Sequence, residues 1–281
     1  MIVRAAPAIC DEIRFSDARR VGGFMKRVVI TVFMAAAMVA SAAAQAPAPA
    51  TGQAAAPTVD ELLAKNTTAR GGADKLKAID TRKITGSVSA QGMDMTMTVY
   101  SKRPNLMLQE MEVAGRKIVT AFDGQKAWAI NPMMGDTPQQ LTGVQAELLG
   151  EQANFEGPLA LARQRGDKME VVGGESVEGE NTWKLAITHD SRVTTVFIDQ
   201  NTGLERKVSS NVTDGGMQLL IESFISDYQP TPEGIMVPRQ VRTMIGGQQQ
   251  TAVKISKIEF NVPIDEAMFK MPSSAQSTPV Q

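Results

Sequence analysis

The sequence predicts a mainly β (α+β) fold: one antiparallel meander curled around an apolar interior, with helices at its start and in its middle. Three observations point there. From Ile84 to Phe260 the dominant apolar spacing has period two, as strands with one buried face require. Turn signals recur through that stretch at hairpin spacing, at Gln91-Gly92, Ala114-Gly115, Asp123-Gly124, Asn201-Thr202-Gly203, Asp214-Gly215-Gly216 and Gly246-Gly247. Helical patterning is confined to residues 58–79 and 138–165. Roughly 220 residues so arranged fit one curved sheet with a helical plug better than two domains.

Ahead of the domain, Met25-Lys26-Arg27 precedes an unbroken apolar run from Val28 to Ala40, followed by Ser41-Ala42-Ala43-Ala44. A charged head, an apolar core well short of the roughly 20 residues that cross a bilayer, and a small-residue cleavage site are the anatomy of a secretory signal. Residues 25–44 are therefore expected to be a signal peptide cut after about Ala44. Residues 1–24, with Arg4, Asp11, Glu12, Arg14, Arg19 and Arg20, are too charged to belong to it and read as a mis-assigned leader before a true start at Met25. The expected destination is the periplasm, with no stable membrane anchor.

The single cysteine, Cys10, lies in that leader, so the mature chain is expected to hold neither a disulfide framework nor a thiolate metal site. No cysteine follows the apolar run to carry a lipid; Gln45 stands there. Without residues 1–44, which hold six basic and three acidic side chains, 23 basic and 27 acidic remain, a net charge of −4. That is not the basic footprint of a nucleic-acid binder.

Residues 45–57 are almost only Ala, Pro, Gln, Thr and Gly, and read as a flexible spacer. The domain is expected over 58–272, with a flexible tail at 273–281. Thr58-Val59-Asp60-Glu61 has capping-box spacing, Leu62 and Leu63 begin an apolar helical face, and Gly71-Gly72 ends it. A second short helix is predicted over Ala73 to Ile79. Between Pro138 and Arg165, two further short helices are predicted on either side of Gly157-Pro158. The clearest strand runs from Met93 to Tyr100, with Met93, Met95, Met97 and Val99 on one face and Asp94, Thr96, Thr98 and Tyr100 on the other. The first face is predicted dry and the second wet. Flexible thioethers suit adaptable apolar surfaces, although any one methionine serves equally well as core filling.

Catalytic constellations are nearly absent. His189 is the only histidine, and there is no H-E-x-x-H, no G-x-S-x-G and no P-loop. His189 sits beside Asp190 and Ser191 at a predicted hairpin turn and reads as a solvated turn residue. Glu175, Glu178 and Glu180 flank glycines in what reads as an exposed loop, so no carboxylate pair can be assigned to a site. The protein is not expected to be an enzyme.

Lys102-Arg103-Pro104-Asn105-Leu106, then Phe122-Asp123-Gly124-Gln125-Lys126, then Trp128-Ala129-Ile130-Asn131-Pro132 resemble, in order and spacing, the LolA/LolB-like family of outer-membrane lipoprotein carriers. The likeness continues more weakly through the Asp199–Gly203 turn to Phe260-Asn261-Val262-Pro263-Ile264-Asp265 and Phe269. It implies a half-open antiparallel β-barrel with helices lidding an apolar cavity that carries acyl chains of lipoproteins or lipids, without a cofactor. In such carriers the arginine of the K-R-P-N motif hydrogen-bonds the lid and holds the empty cavity shut, and that role would fall to Arg103. Met93, Met95, Met97, Val99, Leu106, Leu108, Trp128 and Ile130 are the expected cavity lining. The lack of a lipidation cysteine favours the soluble, LolA-like branch. Implied partners are an inner-membrane donor and an outer-membrane acceptor, and a monomer is expected. The rival reading is a periplasmic envelope-stress sensor or interaction module built on the same half-barrel, with the segment from Tyr228 to Pro238 available to a partner.

Overall fold

The computed structural model describes residues 56–273, apart from 91 and 215. The expected leader, signal peptide, most of the spacer and the tail lie outside the described residues.

Among the described residues, thirteen antiparallel strands form one sheet. Two helices come first: α1 (Val59–Ala69) and α2 (Ala73–Lys77). The first half of the sheet holds β1 (Thr81–Ala90), β2 (Met93–Lys102), β3 (Leu106–Val113), β4 (Arg116–Asp123), β5 (Ala127–Asn131) and β6 (Gly135–Gln140). Helices α3 (Gly143–Ala153) and α4 (Pro158–Arg165) follow. The second half is β7 (Lys168–Val177), β8 (Glu180–His189), β9 (Arg192–Asp199), β10 (Glu205–Asp214), β11 (Met217–Pro230), β12 (Met236–Ile245) and β13 (Gln248–Phe260), before a 3₁₀ turn at Glu266–Phe269.

Both halves are simple meanders, and they join where β1 pairs with β13, giving the order β6-β5-β4-β3-β2-β1-β13-β12-β11-β10-β9-β8-β7. The ends, β6 and β7, do not pair with each other, so the barrel stays open. Each end is protected as edge strands commonly are. β6 is short and contains Pro138, and its residues 138–140 correct the helical prediction for 138–165, whose helices begin only at Gly143. β7 carries Lys168, Glu170 and Glu175 and shifts register between Val171 and Gly174.

Helix α1 begins as its sequence dictates: Thr58 Oγ1 accepts from Glu61 N at 3.2 Å, and the Glu61 carboxylate accepts from Thr58 N at 2.8 Å. Its buried face of Leu62 and Leu63 packs with Leu159 and Ala162 of α4 onto Leu185, Ile187, Val196 and Ile198 of β8 and β9. On the same face of the sheet, at the other flank, Leu149 and Ala153 of α3 pack with Leu141 onto Met107, Ala127 and Ala129. Both flanks are packed with buried apolar side chains.

The opposite face is closed differently in the two halves. Under the first half, the chain after β13 crosses β3–β5 and buries Phe269 against Leu108, Ala121 and Trp128, whose indole N–H donates to the Phe269 carbonyl at 2.7 Å. Tyr100 packs there as well, so the predicted wet face of β2 is dry at that end. Under the second half no helix among the described residues intervenes; Lys207 lies over the Phe197 ring at 4.1 Å and Arg242 over Phe224 at 4.4 Å. Their counter-ions are Glu222 and Glu175 for Lys207, and Glu178 for Arg242 at 2.6 Å. Glu175, Glu178 and Glu180 are all exposed, as read from the sequence; Glu178 lies in the turn, Glu175 and Glu180 lie at the ends of the flanking strands, and Glu175 and Glu178 are paired. His189 likewise is no free turn residue, since its Nδ1 lies 2.7 Å from Asp167 Oδ1.

Candidate ligand cavity

Between these packed flanks, the centre of the sheet stays hollow. A cavity of about 410 Å³ lies between β1 and β11–β13 on one side and α1, α2 and the α3–α4 connection on the other. The sheet supplies Ile84, Ile225, Val237, Val241, Ile255, Ile258 and Phe260; the lid supplies Leu76, Ile79 and Phe155.

Register explains this wall. Ile84 pairs with Ile258, and Gly86 with Ile255, because a bulge between Thr85 and Gly86 shifts β1 by one residue against β13. Side chains of paired residues stand on one face, so Ile255 and Ile258, three apart in sequence, both turn inward. Only glycine fits at the bulge, since a Cβ on Gly86 would lie 2.2 Å from the Lys254 carbonyl oxygen.

The lid meets the far wall through the β11–β12 loop. Ile235 packs on Ile79 and Phe155, Met236 N donates to the Arg70 carbonyl at 3.1 Å, and a Cβ on Gly71 would collide with the Gly234 carbonyl. The segment from Tyr228 to Pro238, expected to be available to a partner, thus builds cavity wall.

Arg103 follows β2 and reaches the lid with all three nitrogens. Its Nε donates to the Ile79 carbonyl at 2.6 Å, Nη2 to the Leu76 carbonyl at 2.9 Å, and Nη1 to the Glu156 carboxylate at 2.7 Å. Its plane stacks on the Phe155 ring at 4.7 Å. Helix α2 itself has no fully buried residue; Leu76 and the following Ile79 pack with Phe155 and Ile235 against Ile258 and Phe260, and this guanidinium adds a polar tie between lid and sheet.

The cavity is not wholly apolar. Arg70, Lys77, Arg82 and Arg103 line it, against Glu156 and Glu205. Arg82 also lies over the Phe155 ring, at 4.9 Å from its centroid, its Nη2 makes one long contact to Ser101 Oγ at 3.5 Å, and its buried Nε has no partner within the described residues. Burial, then the neighbouring Arg70 and Arg103 charges, push its pKa down to about 10. Tyr228 donates to the Glu205 carbonyl at 3.0 Å, and burial, then the Glu205 carboxylate, push its pKa up.

Of the nine residues singled out from sequence, only Arg103 borders this space. Met95, Met97 and Val99 pair with Val88, Gly86 and Ile84 and so share the cavity's face of the sheet, one strand farther out. Val99 packs under α3, and Met93 is exposed. Leu106, Leu108, Trp128 and Ile130 are on the opposite face, under the C-terminal segment. Val99 pairs with Gln109, so Leu108 must point the other way, and the eight residues could not have lined one cavity. Met236 is the cavity's one methionine among the lining residues. Arg70, Arg82, Phe155 and Tyr228 gave no sequence signal; Ile255, Ile258 and Phe260 lay in a recognised strand whose bulge hid their common face.

Among the described residues, no cluster of His, Cys, Asp and Glu could hold a metal ion, and no helix is long and apolar enough to cross a membrane. No family model and no curated protein matches the sequence. Solved structures do match. A LolA superfamily protein from Nitrosomonas europaea is 17% identical with a TM-score of 0.52, over 76% of this chain and 98% of that one. A domain described as an outer membrane lipoprotein-sorting protein, from Vibrio parahaemolyticus, is 11% identical with a TM-score of 0.52, over 74% and 94%. A DUF1329 family protein from Desulfovibrio piger is 14% identical with a TM-score of 0.55, over 75% and 97%. This chain has the open, helix-lidded β-barrel fold of the LolA superfamily structures.

Proposed function

We propose that the protein is a periplasmic carrier that shelters the acyl chains of lipoproteins or lipids and moves them toward the outer membrane. The cavity at the sheet centre carries this reading. Its sheet wall is mostly Ile, Val and Phe, and each acyl methylene buried there gains about 0.8 kcal/mol, with no bond chemistry required. Exchange needs a lid that opens, and α2, which has no fully buried side chain, is tied to the sheet by hydrogen bonds from Arg103 beside the packing of Leu76 and Ile79. Arg103 is then the latch of the empty state, displaced when a chain enters. Likeness in fold to a structure described as a lipoprotein-sorting domain supports the same cargo class.

The test is native mass spectrometry of protein purified from its own envelope, paired with transfer of acylated cargo between donor and acceptor vesicles. Acylated molecules bound at one copy per chain, and transfer accelerated by the protein, are the expected results. Protein that arrives empty and leaves the transfer rate unchanged would sink the proposal.

A further inference from the structure

Neutral acyl chains alone give no reason for the cationic end of this cavity. A carrier for hydrocarbon could close it with apolar residues; burying a guanidinium beside two others is costly unless something offsets the charge. Arg103 is spent on the lid, and Arg70 turns Nη1 to the Glu156 carbonyl at 3.4 Å. Arg82 has no such outlet. Its Nε is buried without a partner, and no carboxylate among the described residues comes within the 4.0 Å of an ion pair. Glu156 is already engaged by Arg103 and by Gln164. Glu205 also borders the cavity, with a buried Oε1 that lacks a partner, near Tyr228 on the β10–β11 side. Arg82 rises from β1, continuous with the apolar wall of Ile84 and Ile258. An occupant that fits both has a hydrocarbon tail along that wall and a negative group at Arg82.

From this geometry we infer that the cargo is an anionic amphiphile whose carboxylate or phosphate is received by Arg82, with Arg70 adding to the positive field, while its alkyl chain lies against Ile84, Ile255 and Ile258. The inference rests on the carrier reading and narrows it from acyl chains in general to acyl chains with a negative headgroup. A planar guanidinium suits such oxygens because it can offer two parallel N–H donors.

The experiment displaces N-phenyl-1-naphthylamine, a neutral fluorescent probe of apolar sites, from the whole protein. Competitors share one chain and are kept below micelle concentrations: tetradecanoate, tetradecyl phosphate, tetradecanol and tetradecyltrimethylammonium. Tetradecanoate or tetradecyl phosphate is expected to compete at least about tenfold better than tetradecanol, with the cation weakest; whichever anion leads identifies the headgroup. Arg82→Met should bring the anions to the level of the alcohol, and Arg82→Lys should restore part of the preference. Equal competition by alcohol and anions overturns the headgroup inference and leaves the carrier reading standing. No binding of probe or of any chain overturns both. Inorganic phosphate competing as well as tetradecyl phosphate would mark a site for a free anion and also overturn the inference. The wild-type comparison decides the matter even if the variants fail to fold.

Discussion

The flanks of the sheet and its centre offer the helices similar apolar strands, yet inserted side chains fill the flanks while a cavity opens at the centre. At the flanks, α1 and α4 insert Leu62, Leu63, Leu159 and Ala162, and α3 inserts Leu149 and Ala153. Over the centre lies α2, five residues long with none buried, tied down by a guanidinium from the sheet. Hydrophobic packing makes a permanent closure, whereas hydrogen bonds to two carbonyls and a carboxylate can be exchanged for other partners. The cavity exists where a short helix with no fully buried side chain covers the sheet and a polar tie supplements the packing of Leu76, Ile79 and Phe155.

That contrast is most directly broken at Trp128. Trp128→Ala removes a fully packed ring and the bond to the Phe269 carbonyl, and should cost about 3–5 kcal/mol in urea unfolding without changing acyl-chain affinity of the folded protein. A cost under about 1 kcal/mol would mean that the C-terminal segment does not seal this flank. Val241→Phe probes the centre. Added volume there meets empty space, so stability should stay within about 1 kcal/mol of wild type while chain binding weakens on the order of 100-fold, or about 2.7 kcal/mol. The same kind of enlargement on the flank, Leu185→Phe, should cost about 1–3 kcal/mol through overpacking. Equal destabilisation at both positions would show that the centre is as solid as the flanks.

Arg103→Leu tests the tie itself. The variant loses the bonds that favour the closed, empty state, so it should still bind chains but release them to acceptor vesicles about tenfold more slowly, about 1.4 kcal/mol. Stopped-flow transfer with unchanged release kinetics would remove Arg103 from the latch role.

Much of this architecture was legible in the sequence. Period two, the turn at Ala114-Gly115 with both residues at positive φ, and the Thr58–Glu61 box are local rules, and local rules suffice for strands, hairpins and caps. Arg103 was legible through its motif. The cavity lining was not, for two reasons. Alternation says that Trp128 and Met97 each have a buried side, but not which face of the sheet either one meets, and the C-terminal segment that claims Trp128 is 141 residues away. A bulge at Gly86 then breaks the period where the cavity wall is built, so Ile255 and Ile258 read as out of phase. Arg82 fails for the opposite reason: a charged residue in a strand reads as solvent-facing unless the fold is known.

Buried charge gives the finest version of the contrast between flank and centre. Asp199, at the β9–β10 turn of the flank, is 1% exposed and fully partnered: Oδ1 accepts from the Asn201 and Thr202 amides at 2.8 Å each, and Oδ2 from Arg206 Nε at 2.9 Å. Burial alone would raise its pKa, but the Thr202 amide, Arg206 and the Asn201 amide outweigh it and hold the carboxyl below the usual carboxylate range. A lowered folded-state pKa contributes stability above the unfolded value of about 3.9, and that contribution is lost as pH falls through the folded value. Asp199→Asn keeps an oxygen for the two amides and loses the pair with Arg206. It should therefore cost about 1 kcal/mol at pH 7, shrinking as the pH is brought below about 4. Arg82 in the centre has the opposite sign. Its pKa is pushed down by burial and by like charges, so at neutral pH the charged form is a burden on the empty protein. Arg82→Met should raise the urea midpoint at pH 7, where Asp199→Asn lowers it. If both variants lowered the midpoint, Arg82 would be a satisfied structural residue like Asp199, and the centre would differ from the flank in volume alone.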